Sequence, residues 1–423
     1  MPPIRHFLSE HRRWLIVGLL FFISAVNYLD RQALSILVPT LRVELKFGPI
    51  EYSYVVTAFL VAYTLGYAFC ARILDRWGVK VGLAVALGCW SLTAMLHGAV
   101  TGWKSLAMVR FLLGLSESFN NPGGVKAITE WIPVRERGTC VAIFLNGNVL
   151  GIMLAPPLVS LLALNLGWRW AFIITGALGL LLLLIWLREY HSPEKHPRLL
   201  PPERKFILGL RPAESRVQSK KTMIELLTNP ICLSFFLARF LIDSISYFFA
   251  FWMPSYFMHS RGVTLALIGM VGWVPYIVQV AGSLGGGALS DWLIRRGWRS
   301  ANSRQALIFS ASCLMPLANI AVRTDSVWLA FGLVAVMLAA NGCYMVNLIS
   351  LISETVSAEN VTTLLALSAL GGSLGGVVST LLVGRAINDY GYVPIFTVLS
   401  ALPIVAFAMI SLGRLMQARE NNV

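Results

Sequence analysis

Residues 14–38 read WLIVGLLFFISAVNYLDRQALSILV. Apart from the adjacent Asp30 and Arg31 the run carries no charge. It is long enough for a helix to cross the hydrocarbon of a bilayer, which takes about 20 apolar residues. A helix suits that setting because it satisfies every backbone N–H and C=O within itself. An acid and a base near the middle do not suit it, and ionisable groups at such depth are functional candidates by default. The one stretch therefore bears on both the fold and the function.

Outward from it the pattern repeats. The chain has 423 residues, 57% hydrophobic and 13% charged, with a mean hydropathy of +0.71. Soluble domains carry about 25% charged residues, and a water-facing surface cannot absorb that loss of charge. Apolar runs predict twelve spans, near 14–38, 52–71, 79–99, 104–128, 138–163, 168–187, 230–258, 264–289, 305–322, 326–352, 361–384 and 393–413. Basic residues precede the first run, as in a signal peptide. The run outlasts an h-region and has no small-residue cleavage site, so it is expected to remain as the first helix.

The net charge of +14 is unevenly placed. With the N-terminus inside, the tails and even-numbered loops hold Arg5, Arg12, Arg13, Arg72, Arg76, Lys80, Arg135, Arg137, the basic run from Arg188 to Lys221, Arg295, Arg296, Arg299, Arg304, Arg414 and Arg419. The opposite side holds Arg42, Lys46, Lys104, Arg169, Arg261, Arg323 and Arg385. This bias puts both termini in the cytoplasm. It also accounts for a pI near 9.8 without nucleic acid as a partner. The six cysteines fall in apolar spans or at their ends and show no metal spacing, so they are read as small packing residues.

Residues 188–229 differ sharply, being charged and holding Pro193, Pro197, Pro201, Pro202 and Pro212. They read as a cytoplasmic linker with a short surface helix near Glu203–Leu210. The expected domains are a six-helix bundle over 1–190, a linker over 191–229 and a second six-helix bundle over 230–423. The halves repeat. Adding 224 carries Glu130 to Glu354, Thr139 to Thr363, Gly147 to Gly371, Gly151 to Gly375, Gly167 to Gly391, Phe172 to Phe396 and Leu178 to Leu402, without a gap. Membrane transporters are commonly built from such repeats. The fold class is thus an all-α membrane protein, with twelve transmembrane helices in two pseudo-symmetric six-helix bundles.

The ionisable residues inside the spans are few: Asp30, Arg31, Arg110, Glu117, Lys126, Arg239 and Asp243. Four bases against three acids suit an anionic substrate, because a guanidinium binds carboxylate through a bidentate fork. Arg110 and Glu117 share one helix face, as do Arg239 and Asp243. Between Glu117 and Lys126 lies Pro122-Gly123-Gly124, expected to bend span 4. The other reading of these charges is mutual neutralisation in ion pairs that lock the fold, although such pairs add little net stability. Pairs that break and re-form can also gate, so the two readings coexist. No histidine is expected mid-membrane, with His97 and His259 at outer ends. Asp30 and Glu117 read as the best proton carriers, because a buried carboxyl beside an arginine can switch its charge when substrate competes for that arginine. No metal-ligand cluster or nucleophile–base pair points to an enzyme. A membrane sensor would need a signalling domain, and the longest soluble stretch, about 40 residues, is too short for one.

After span 2 comes Asp75-Arg76-Trp77-Gly78-Val79-Lys80, with a weaker copy from Gly287 through Asp291 to Arg295-Arg296. Span 5 carries Gly147-x3-Gly151 followed by Pro156-Pro157. These resemble signatures of the major facilitator superfamily, in which the loop acid and bases latch helix ends on the cytoplasmic side. Ala71 stands where that family has a leading glycine. Asn27-Tyr28-Leu29-Asp30-Arg31, Arg110-x6-Glu117, Pro122-Gly123-Gly124-Val125-Lys126, Glu130-Trp131-Ile132-Pro133 and Arg239-x3-Asp243 are similar to its anion:cation symporters, and among those to bacterial hexuronate transporters. The resemblance implies proton-coupled import of a sugar acid into the cell across the inner membrane, by a monomer, with no cofactor beyond the proton. It implies proton coupling at Asp30 and Glu117. It implies substrate contacts from Arg31, Tyr28, Tyr63, Asn148, Arg239 and Trp252. Arg110, Lys126, Asp243, Asp75, Arg76 and Asp291 are expected in gating ion pairs. Ser368-Ala369 stands where some relatives have an asparagine, which leaves galactonate or an aromatic acid open as substrate. Sodium coupling is the other alternative.

Overall fold

The structure, a computed structural model, describes residues 12–209, 223–356 and 358–420, and its elements are helices throughout. Arg5 and residues 210–222 of the expected linker lie outside the described residues. Helix α1 (Arg12–Glu44) runs through the whole opening stretch. Helix α2 (Pro49–Leu96) contains two spans, parted where Gly78 adopts φ 75° and ψ 161°. That conformation strains any residue with a Cβ, so the Asp75–Lys80 motif turns the chain at its glycine. Span 4 is α3 (Trp103–Glu117) followed by α4 (Asn120–Trp131). Spans 5 and 6 are α5 (Val134–Leu166) and α6 (Trp168–Glu189).

Two short helices follow, α7 (Pro201–Gly209) and α8 (Met223–Leu227). The first starts on a Pro-Pro pair, where a missing N–H costs nothing, and matches the expected surface helix. Span 7 is α9 (Pro230–Arg261). Asn229 caps it by accepting from the Ile231 N–H, and Gly262 ends it at φ 64°. Span 8 is α10 (Leu265–Val271) and α11 (Val274–Arg295). Span 9 is α12 (Ser300–Leu314), a 3-10 turn, then α13 (Ala318–Ala321). The last three are α14 (Val327–Thr355), α15 (Ala358–Tyr390) and α16 (Val393–Glu420).

Among the described residues, 9 helical stretches are long and apolar enough to cross a membrane. Pro49–Ala99 is one of these and holds spans 2 and 3. Spans 4 and 9 are broken into shorter helices, which completes the twelve. The break in span 4 corrects one expectation. It falls at Ser118–Phe119, before Pro122-Gly123-Gly124. Pro122 sits in the first turn of α4, where proline is tolerated. Gly124 lets the Phe144 ring close in, since a Cβ there would lie 2.4 Å from it.

The internal repeat has a structural counterpart. The turn between α5 and α6 pivots on Gly167 at φ 90°, and that between α15 and α16 on Gly391 at φ 74°. In α5, a Cβ on Gly147 or Gly151 would meet the carbonyl of Phe21 or Ala25 at 2.2 and 2.1 Å. In α15, Gly371 and Gly375 meet Phe236 and Phe240 of α9 in the same way, at 2.5 and 2.0 Å. Small residues four apart let helices touch backbone to backbone.

The chain divides into two compact units. Unit 1 comprises Met1–Phe47, Ala58–Arg216 and Thr264–Val271. Unit 2 comprises Gly48–Thr57, Val217–Val263 and Gly272–Val423. Two segments thus group differently from a division at the linker. The start of α2 joins unit 2, where Tyr52 donates to the Phe251 carbonyl at 2.8 Å. Helix α10 joins unit 1, with Gly269 packed on Ser160 of α5. Large apolar side chains such as Phe22, Leu161, Leu181 and Leu184 are exposed. In water they would form an aggregating patch, whereas lipid is the solvent they match.

Candidate functional site

In unit 1 the opening stretch delivers its charged pair into the interior. Arg31 donates through Nε and Nη2 to one oxygen of Glu117, Oε2, at 3.0 and 2.9 Å. The Glu117 side chain is fully buried, and its Oε1 has no hydrogen-bond partner among the described residues. Rings surround the guanidinium: Tyr28 at 4.4 Å, Tyr63 at 4.7 Å and Phe59 at 5.1 Å. A desolvated cation–π contact is worth about 2 kcal/mol, so the cage and the carboxylate together offset the cost of keeping this charge out of water. Tyr63 leads on to Tyr67 at 5.2 Å between ring centres.

Asp30, one residue away, points to another side of α1. It is 2% exposed, and neither carboxyl oxygen has hydrogen-bond geometry to a partner among the described residues. Thr175, Arg110 and Glu117 are its polar neighbours. Buried Arg110 donates to the Arg31 carbonyl at 3.4 Å. A chain of small polar groups lines the α1–α5 seam. Ser24 hydrogen-bonds Asn148, and Asn120 donates to Ser24 at 3.1 Å and to Asn27 at 3.5 Å. Asp30, Arg31, Tyr28, Tyr63, Arg110, Glu117 and Asn148 are therefore gathered in one bundle.

In unit 2, Arg239 donates through Nε and Nη2 to Asp243 Oδ2 at 3.0 and 2.7 Å, one turn apart on α9. Nearby on α9, Ser246 donates to Asn341 Oδ1 at 3.3 Å, as does Gln279. Trp252 lies farther along the helix, 1% exposed and edge-on to Tyr52 at 4.8 Å. It is thirteen residues from Arg239, or about 20 Å of helix, so the two do not share a level.

The remaining candidates sit at helix ends. Lys126 donates to Asp75 at 2.5 Å and to the Leu74 carbonyl at 3.2 Å. In unit 2, Arg304 pairs with Asp291 at 2.9 Å and with Glu354 at 3.4 Å. Arg76 is exposed and outside these pairs. At the far end of α1, Glu44 takes Arg169 and Trp168, which hold its carboxyl below the usual range.

Sequence reasoning missed several polar residues. Ser24, Asn120, Ser246, Gln279 and Asn341 are uncharged and raise no alarm in an apolar run. His97 was set aside as an outer-end residue. It is fully buried, stacked on Phe172 at 5.0 Å and bonded to the Thr93 carbonyl at 2.8 Å, with Arg110 in its surroundings. The segment after α6 was expected as a linker with a short surface helix, without contacts to the bundle. It is pinned to unit 1 by Tyr190 donating to Glu130 at 2.7 Å, Trp131 donating to the His191 carbonyl at 3.1 Å and Arg12 bridging Glu189 at 3.1 Å.

Comparison with known proteins places this arrangement. The chain is 30% identical over 397 residues to a protein of Bacillus subtilis (strain 168) named "Probable galactarate/D-glucarate transporter", covering 90% of this chain and 86% of that one. It is 29% identical over 403 residues to the "Hexuronate transporter" of Escherichia coli (strain K12), covering 94% and 93%. Among solved structures, a bacterial homologue of the human lysosomal transporter Spinster superposes with a TM-score of 0.73 at 16% identity, covering 96% of each chain. That likeness is one of fold. The profile of the Major Facilitator Superfamily matches residues 20–380. Twelve spans, paired six-helix repeats and a family match over most of the length agree: the chain belongs to the major facilitator superfamily.

Proposed function

We propose that this protein is a secondary active transporter that imports a sugar acid, a hexuronate, with protons by alternating access. The observation that carries the proposal is the Arg31–Glu117 pair. One guanidinium, caged by three rings, is held by a buried carboxylate through a single oxygen. A substrate carboxylate is the natural competitor for that fork. When it takes Arg31, Glu117 loses its cation in a dry interior and takes up a proton, because an unpaired buried charge is far costlier than a neutral acid. Asp30, buried beside Arg110, carries a proton on the same logic. Ser24, Asn120 and Asn148 offer donors and acceptors to sugar hydroxyls, and Tyr28 and Tyr63 offer ring faces. Lys126–Asp75 and Arg304–Asp291 latch helix ends, with Arg76 beside the first latch. The transporter acts as a monomer in the bacterial inner membrane with both termini in the cytoplasm.

Reconstituted proteoliposomes test this. Labelled glucuronate or galacturonate is expected to accumulate under an inward proton gradient, and no accumulation rejects the substrate. Glu117→Gln is expected to bind or exchange substrate but not concentrate it, and wild-type accumulation by the variant rejects the coupling role. A second reading follows from the relatives, whose names include both hexuronate and galactarate/D-glucarate at near-equal identity. Uptake driven by a sodium gradient in place of the proton gradient separates the alternative coupling.

A further inference from the structure

Asp30 and Arg31 leave α1 on different sides, so a proton bound for Asp30 need not pass the guanidinium that meets the substrate. Asp30 is 2% exposed, and neither of its oxygens has a hydrogen-bond partner among the described residues. Its polar neighbours Thr175 and Arg110 lead to a further titratable group of unit 1, His97. Thr175 is fully buried on α6 and donates to the Phe172 carbonyl at 3.3 Å. The His97 ring stacks on that same Phe172 at 5.0 Å between centres. The charge of Arg110, on α3, is felt at both Asp30 and His97.

His97 is fully buried at the end of span 3, in the 3-10 turn His97–Ala99. Its Nδ1 is bonded to the Thr93 carbonyl at 2.8 Å. A carbonyl only accepts, so Nδ1 carries the ring's proton and Nε2 presents a lone pair. Nε2 has no hydrogen-bond partner among the described residues. A buried acceptor left without a donor costs about 1–3 kcal/mol, and a bridging water is the usual remedy. Packing does not call for that cost, because a phenylalanine would stack on Phe172 without it. Thr101, in the connection to α3, is exposed. The imidazole therefore stands between the surface at this end of the span and the carboxyl inside.

We infer that His97 is a proton-relay residue that loads Asp30 from the side of the membrane opposite the termini, apart from the route through Arg31 and Glu117. This rests on Asp30 being a proton carrier, as proposed above. Nε2 takes a proton from a water on the surface side. The N–H bond so formed breaks as the proton passes to a water between the ring and Asp30, and that water hands a proton to the carboxylate. Nothing is oxidised or reduced, and the charge that entered neutralises Asp30. The proton does not rest on His97, since an imidazolium there faces the Arg110 cation in a dry interior. On Asp30 the same proton removes a buried charge.

Proteoliposomes loaded with the pH dye pyranine and given labelled glucuronate or galacturonate read both the sugar acid and its proton. His97→Phe keeps a ring on Phe172 and carries no proton, and His97→Gln keeps a donor for the Thr93 carbonyl. Melting temperatures of the purified variants show which are folded. A folded variant is expected to slow gradient-driven uptake, and the acidification that accompanies it, by about a hundredfold, the low end of what a positioned proton donor supplies. Exchange of substrate for substrate, which moves no net proton, is expected to slow far less. A folded variant that takes up sugar acid and proton at the wild-type rate, or that loses exchange in step with uptake, overturns the inference and leaves the proposed symport standing. Two variants that both fail to fold assign His97 to packing and overturn it as well. A wild type in which neither acid brings in a proton overturns the proposed symport, and the relay with it.

Discussion

Glu117 meets Arg31 with one oxygen, and its other oxygen, fully buried, has no hydrogen-bond partner among the described residues. A group in that state is stable only while its cation stays. Removing one member of a buried pair costs about 3–5 kcal/mol, whereas replacing both is often neutral. Arg31→Gln is therefore expected to lower the melting temperature of the purified protein more than Arg31→Gln with Glu117→Gln. Equal losses would show that the pair is not electrostatically coupled. The charged members were legible in the sequence, because a charge in an apolar run is rare enough to stand out. Their partners were not. Glu117 is 86 residues from Arg31, and Ser24 is 124 from Asn148, so the meetings depend on which helix faces which. His97 shows the same limit from the other side. Its place near a span end is legible, but its burial against the Phe172 ring is not.

At the scale of elements, the segment after α6 is a folded cap on unit 1. His196 is 1% exposed and accepts from the Arg198 N–H at Nδ1, 3.1 Å, so Nε2 carries the proton and donates to the Glu189 carbonyl at 3.1 Å. The Trp131 ring meets it edge-on at 5.3 Å, and Arg204 holds its carbonyl at 2.7 Å. His191 accepts from Lys80 at 2.7 Å. Burial pushes both imidazoles below their usual range, and the nearby positive charges, Arg12 for His196 and Lys80 and Arg198 for His191, push the same way. A depressed imidazole pKa means that the unfolded state binds protons first as pH falls. The stabilisation is complete above the ordinary imidazole value, about 6.5, and is lost as pH drops through the lower folded value. Amide exchange over residues 190–209, corrected for intrinsic rates, is expected to quicken on going from about pH 7.5 to about pH 5.5. His196→Gln is expected to flatten that dependence, and an unchanged slope would exclude His196 as its source. Sequence composition marked this segment as polar and proline-bearing, which fits a tether as well as a cap. The choice came from Trp131, Tyr190 and Glu189, which belong to neighbouring helices or their ends.

At the scale of the whole molecule, the placement of Lys and Arg predicts topology. Alkaline phosphatase fused after Lys46 is expected to be active, as an enzyme that needs the periplasm, and fused after Gly297 to be inactive. The reverse result would invert the orientation. The sequence by itself determined the twelve spans, the two six-helix halves and the rare charges, because hydrophobic length, a fixed repeat offset and the cost of burying charge are local or periodic properties of the chain. The tertiary structure decided the rest. It put the bend of span 4 at Ser118–Phe119, assigned 48–57 and 264–271 to their units, and joined Arg31 to Glu117. It also put Gly372 under Asp243, and it buried His97 and His196. These depend on close approach between helices far apart in the chain, which sequence spacing along one helix does not encode.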